Sequence, residues 1–185
     1  MEKIYLSMGS NIGDRAENII SALSLLQSSA VHINRVSSFY ETSPVGAKQR
    51  NFYNIALQAK TALSPRDLLA FVKQSERILG RKFSKRFGPR VIDIDILFYG
   101  GKIVKIEKKL SAGSNKSAVN LAACRPPVLF LEIPHREIQN RLFVLKPLCE
   151  IAPNLIHPVL NGKIKLILKN NLTLKNQKVK IVKNI

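Results

Sequence analysis

In Gly88-Pro89-Arg90-Val91-Ile92-Asp93-Ile94-Asp95-Ile96-Leu97-Phe98-Tyr99, β-branched and aromatic residues dominate from Val91 onward, which predicts a strand over Val91 to Tyr99. Two of the four aspartates in the whole chain stand one residue apart within it. On a strand, residues two apart share a face at roughly 6.5 to 7 Å, so both carboxylates point the same way. The apolar flanks drive the strand into a core, where an unpaired charge is expensive. Lysine or arginine side chains, or water on an exposed face, would compensate the pair. So would a hard divalent cation such as Mg²⁺, which takes carboxylate oxygens and keeps positions open for phosphate.

Upstream, Gly80 to Arg90 carries five cations and no acid. Guanidinium groups bind phosphate bidentately, while Gly80, Gly88 and Pro89 interrupt regular structure and mark a loop. A charge run by itself is more often a solvated face. Delivered to an Asp-x-Asp pair, it describes a polyphosphate site with metal in the middle and arginines around it.

Working back to the N-terminus, Lys3 to Met8 reads as a first strand that ends in the turn former Gly9-Ser10-Asn11. Asp14 is placed to cap a helix whose Ile19, Ile20, Leu23 and Leu26 recur at helical spacing. Val31 to Thr42 forms the second strand, turned by Ser43-Pro44-Val45-Gly46, and Phe52 to Lys60 the third. Ser64 and Pro65 open a second helix at the N-cap and first helical positions, and Gly80 closes it. The order β-α-β-β-α-β is the ferredoxin-like split βαβ motif, an α+β fold with an antiparallel sheet backed by helices. Lys102 to Leu131 has no clear periodicity and reads as a long loop or partly ordered insertion after the fourth strand.

With 185 residues and 20.7 kDa, the chain suits one domain with a real core. No apolar run reaches membrane-span length and Met1 to Asn11 lacks the apolar region of a signal peptide, so a cytoplasmic protein is expected. Cys124 and Cys149 lack metal-ligand spacing and read as free thiols, with neither disulfide nor zinc. A net charge of +18 and a pI near 10.3 attract polyanions without choosing between nucleic acid and nucleotide. After Glu150 there are seven lysines and no acid, a basic tail read as solvated surface.

Several segments together resemble one enzyme family, in order and in register from residue 4 to about 158. They are Gly9-Ser10-Asn11, Val36-Ser37-Ser38-Phe39-Tyr40-Glu41-Thr42-Ser43-Pro44-Val45-Gly46, Phe52-Tyr53-Asn54, Gly80-Arg81, Gly88 to Asp95, Pro134-His135 and Asn140 to Leu148. The family is 6-hydroxymethyl-7,8-dihydropterin pyrophosphokinase of folate biosynthesis. The resemblance implies transfer of diphosphate from ATP to the pterin hydroxymethyl oxygen, leaving AMP. It implies that Asp93 and Asp95 hold two Mg²⁺ ions that bridge the ATP phosphates, with Arg81 and Arg90 as catalytic arginines of the phosphate loop. Lys82, Lys85, Arg86, Ile96, His135 and Arg141 match the ATP side. Phe52 and Phe143 match the aromatics that sandwich the pterin, Asn54 the amide that reads its edge, and Thr42, Ser43 and Val45 the rest of that pocket.

Against the family pattern, Phe87 stands where some members carry Trp, and Arg136 follows His135 where an aromatic is sometimes found. The expected organisation is a pyrophosphokinase domain over 1–160, with an insertion at about 107–131, and a basic C-terminal extension over 161–185. ATP and hydroxymethyldihydropterin are the expected partners of a monomer, without membrane association or specific nucleic-acid binding. An RNA-recognition module shares the element order, but two carboxylates beside its phosphate path would repel RNA. A metal-dependent phosphodiesterase would call for more acidic ligands near Asp93 and Asp95 than this sequence offers.

Overall fold

The computed structural model describes residues 1–27, 30–44, 48–82, 88–109, 128–171, 174 and 177–183. The expected elements are β1 (Glu2–Ser10), α1 (Arg15–Leu26), β2 (Val31–Val36), β3 (Tyr40–Thr42), β4 (Phe52–Thr61), α2 (Pro65–Ile78) and β5 (Asp93–Tyr99). The second predicted strand is therefore two strands, both paired to β4. Between them the Ser37 hydroxyl accepts the Ala56 N–H at 3.0 Å, substituting a side chain for a ladder carbonyl. Helix starts follow from local chemistry. Asp14 accepts the N–H groups of Ala16 and Glu17, and Ser64 accepts that of Asp67. Gly80 takes a φ of +85° directly after α2, where a Cβ would be strained.

All strand pairs are antiparallel, and β5, β1, β4, β3 and β10 (Val179–Ile181) lie in that order, with β2 also on β4. Strand alternation divides the core in two. Ile4, Leu6 and Met8 of β1, with Ile55, Leu57 and Ala59 of β4, are fully buried in the cluster that includes Ile19, Ala22 and Leu26 of α1 and Leu68 and Val72 of α2. Each such aliphatic side chain contributes about 1.5 to 3 kcal/mol by leaving water. On the other face, Tyr5, Ala56 and Phe98 pack beneath α3 (Leu142–Ile151) and α4 (Ile164–Asn170). That face is left open beyond the N-terminus of α3.

Two further segments differ from expectation. Within the predicted loop Lys102 to Leu131, and just past it, β6 (Val104–Lys109) and β7 (Val128–Ile133) form an antiparallel pair, while 110–127 lies outside the described residues. Val104 and Ile106 face Ile133 and Leu131 in register and join the first core, whereas Lys105 lies opposite Glu132. The lysines hid an alternation of period two. The basic C-terminal stretch is also folded. After the hairpin of β8 (Ile156–His157) and β9 (Gly162–Lys163), α4 buries Ile164 completely, Leu174 is 5% exposed, and β10 pairs with β3. Its apolar residues sit between lysines that stay in water, which composition alone reads as a tail. Cys149 is a half-buried free thiol whose pKa is raised by burial, and Cys124 lies outside the described residues. Among the described residues, no helix is long and apolar enough to cross a membrane.

Candidate active site

Where α3 leaves the sheet uncovered there is a cleft of about 710 Å³. Pairing fixes its floor: Gly9 lies between Asn54 of β4 and Asp93 of β5, and Ser7 lies between Ala56 and Asp95. A Cβ built on Gly9 would approach Asn54 Oδ1 to 2.6 Å, so only glycine keeps this floor low.

At one end, cations converge on the paired carboxylates. Asp93 pairs with Arg81 at 2.6 Å and with Arg90. Burial pushes its pKa up, but Arg81, Lys73 and Arg90 together outweigh this and hold it below the usual carboxylate value. Behind Asp93, Glu76 is 2% exposed and accepts the Ile94 N–H at 2.7 Å and Lys73 Nζ at 2.9 Å, while also pairing with Arg81. Burial is the largest influence on Glu76 and raises its pKa, against Lys73 and Arg81. Glu76 thereby ties α2 to β5 and fixes the arginine that faces Asp93.

Asp95 keeps a looser contact, 3.5 Å to Arg141, with 29% of its side chain exposed. His135 Nδ1 accepts the Glu137 N–H at 3.3 Å, and its own backbone N–H donates to the Leu97 carbonyl. Burial lowers the His135 pKa, opposed by Asp95 and reinforced by Arg141, so the ring is held towards its neutral form.

The other end is apolar and amide-lined. Asn54 is buried and donates to Thr42 Oγ1 at 2.8 Å, which orients the amide across β4 and β3. Phe52 and Phe143 both line the cleft and are only partly buried, unlike ordinary core aromatics. Asn11 joins the two ends: its side chain donates to Gln49 Oε1 and the Arg50 carbonyl and accepts the Arg90 N–H at 2.7 Å.

Of the residues singled out from sequence, Arg90, Asp93, Asp95, Ile96, His135 and Arg141 line the cleft on the carboxylate side. Thr42, Ser43, Phe52, Asn54 and Phe143 line it on the aromatic side. Arg81 stands behind Asp93, and Lys82 is exposed. Val45, Lys85, Arg86 and Phe87 lie outside the described residues. Sequence reasoning missed Phe130, Asn11 and Gln177. Phe130 is 42% exposed on β7, lines the cleft, and has the Arg136 guanidinium 5.6 Å from its ring centre. It fell in a segment read as loop. Asn11 stood in a turn former that is also one of the family-like segments, without a role of its own, and nothing in the local sequence marks Gln177.

The donor set suits a hard cation. Asp93 and Asp95 share one face of β5; each Asp93 oxygen already meets an arginine, whereas Asp95, with its single long contact, retains lone pairs towards the cleft. Among the described residues no third His, Cys, Asp or Glu completes a ligand cluster, so further positions would fall to phosphate oxygens and water, as Mg²⁺ prefers.

The profile of the 7,8-dihydro-6-hydroxymethylpterin-pyrophosphokinase family matches residues 5–153. The chain is 36% identical over 166 residues to the 2-amino-4-hydroxy-6-hydroxymethyldihydropteridine pyrophosphokinase of Aquifex aeolicus, covering 89% of each chain. It is 40% identical over 150 residues to the same-named protein of Bacillus subtilis, covering 80% of this chain and 77% of the relative. Folic acid synthesis protein FOL1 of Dictyostelium discoideum is 40% identical over 177 residues, which is 94% of this chain but 23% of that protein. This chain likewise spans 38% of the bifunctional FolKE proteins of Lactococcus lactis, so it corresponds to a minor part of these longer relatives. A Plasmodium falciparum HPPK-DHPS structure with pterin and p-hydroxybenzoate superposes over 94% of this chain and 44% of its own, with a TM-score of 0.72 at 19% identity, a likeness of fold.

Proposed function

Because the chain belongs to the 7,8-dihydro-6-hydroxymethylpterin-pyrophosphokinase family, we propose that it transfers diphosphate from ATP to the hydroxymethyl oxygen of 6-hydroxymethyl-7,8-dihydropterin, releasing AMP. The observation that carries this reading is that one cleft has a carboxylate and arginine end and an aromatic and amide end, joined through Asn11. A flat heterocycle fits between Phe52 and Phe143, with the buried Asn54 amide at its edge. The hydroxymethyl group then points along the floor at Gly9, towards Asp93.

Asp93 and Asp95 would hold two Mg²⁺ ions, which supply Lewis-acid neutralisation of charge on the polyphosphate. The protein's own contribution is placement. Arg90, whose backbone Asn11 holds, meets negative charge that builds on the transferred group, Arg81, fixed by Glu76, supports Asp93 from behind, and Arg141 and His135 bind the nucleotide side. Fixed donors of this kind act mainly on the transition state, because they need no reorganisation when charge develops.

The test is product analysis with purified protein, ATP, Mg²⁺ and hydroxymethyldihydropterin. AMP and a pterin diphosphate should accumulate together, and only when the pterin is present. ADP as the nucleotide product would mean monophosphoryl transfer and would overturn the proposal.

A further inference from the structure

We propose that Gln177, from the stretch beyond the family match, is a positioning residue of the active site: it caps α3 from a distance and so sets Arg141 and Phe143. This rests on the pyrophosphokinase reading of the cleft. The N-cap position of α3 is Arg141, whose side chain makes no capping hydrogen bond. An arginine there is a poor cap, since Ser, Thr, Asp or Asn would satisfy the first free N–H groups. Gln177 supplies what is missing. Its Oε1 accepts the Leu142 N–H at 2.8 Å and its Nε2 donates to the Asn140 carbonyl at 2.8 Å. Both ends of one amide thus clamp the backbone on either side of Arg141, and the side chain lines the cleft.

The cap is delivered by the sheet. Val179 pairs with Thr42 and Ile181 with Tyr40, Lys146 Nζ donates to the Val179 carbonyl at 3.3 Å, and the Val182 N–H donates to the Phe39 carbonyl at 2.9 Å. These contacts fix Gln177 relative to the strand carrying Thr42. Capping from 35 residues away releases the cap position for a cation that reaches Asp95 at 3.5 Å and lies 5.7 Å from the Phe143 ring centre. The ATP side and the pterin side therefore share one support.

The full-length Gln177→Leu and Gln177→Glu variants test this by steady-state kinetics and by amide hydrogen exchange at Leu142. Leucine removes both hydrogen bonds at similar volume; glutamate keeps the acceptor for Leu142 and loses the donor to Asn140. With Gln177→Leu, Leu142 should lose protection, and KM for ATP and for the pterin should each rise roughly 3- to 10-fold with kcat changed less. Gln177→Glu should fall between it and the wild type, and it carries the test if the leucine variant does not fold. Lost protection with unchanged KM values would reduce Gln177 to a structural cap, and unchanged protection would remove the contact; either overturns the proposal. A wild-type protein that forms no AMP would instead sink the pyrophosphokinase reading itself.

Discussion

Asp93 and Asp95 are two residues apart on one strand, yet their surroundings assign them different tasks. Asp93 is held ionised by Arg81, Lys73 and Arg90 against the effect of burial, whereas Asp95 meets Arg141 across 3.5 Å and keeps part of its surface towards the cleft. Asp95→Asn preserves shape but removes an anionic oxygen. Turnover should fall roughly a thousandfold or more while the melting temperature stays within a few degrees. Near-normal Mg²⁺-dependent turnover would end the metal-holding role. His157 illustrates a titrating residue with a purely structural task. Its Nδ1 accepts the N–H groups of Val159 and Leu160, its ring packs edge-on against Phe98, and burial lowers its pKa. The folded state resists the proton, so this stabilisation is present above the unfolded value of about 6.5 and is lost as pH falls towards the lower folded value. His135 is shifted in the same direction. The melting temperature should therefore drop between pH 7.5 and 5, and His157→Gln, though less stable at pH 7.5, should show a shallower drop. An equal slope in both proteins would remove His157 from the linkage.

Among the elements, α4 and β10 carry the largest departure from expectation. Ile164 of α4 shares a buried cluster with Leu145, Leu148 and Ile151 of α3, and β10 covers the edge of β3. Lys178 and Lys180 flank and punctuate β10, which suits a sheet edge that must not recruit another strand. Deleting residues from Gly162 onward would bare the apolar side of α3 and leave the Leu142 N–H without Gln177. The truncated protein should melt at much lower temperature than the intact chain and lose pterin-dependent AMP formation. A truncated protein with intact melting behaviour and full turnover would restore the view of this stretch as a solvated tail.

For the molecule as a whole, a net charge of +18 sets long-range behaviour that the cleft does not share. Exposed lysines should give weak binding to any nucleic acid, lost by roughly a thousandfold between 50 and 200 mM salt, as counterion release requires. The half-buried ion pairs of the cleft are screened less, so affinity for an ATP analogue should fall far less over that range. Filter binding and calorimetry at matched salt would separate the two, and nucleic-acid affinity insensitive to salt would point to a dedicated nucleic-acid site. The sequence by itself determined the features that depend on near neighbours. The caps at Asp14 and Ser64, the alternation that buries Ile94 and Ile96, and the placing of Asp93 and Asp95 on one face all follow from period and local hydrogen bonding. With these came the β-α-β-β-α-β frame, its second strand in fact two, and the residues of the cleft that match the family. Only the tertiary structure decided the supports: Asn11 between the two ends, Phe130 on a strand paired to the lysine-rich β6, and Gln177 capping α3. Whereas Glu76, one turn before Arg81, was placed by the sequence to orient an arginine, those contacts join residues tens of positions apart. Register and packing bring such partners together, and no local pattern records which distant amide or carboxylate will be there.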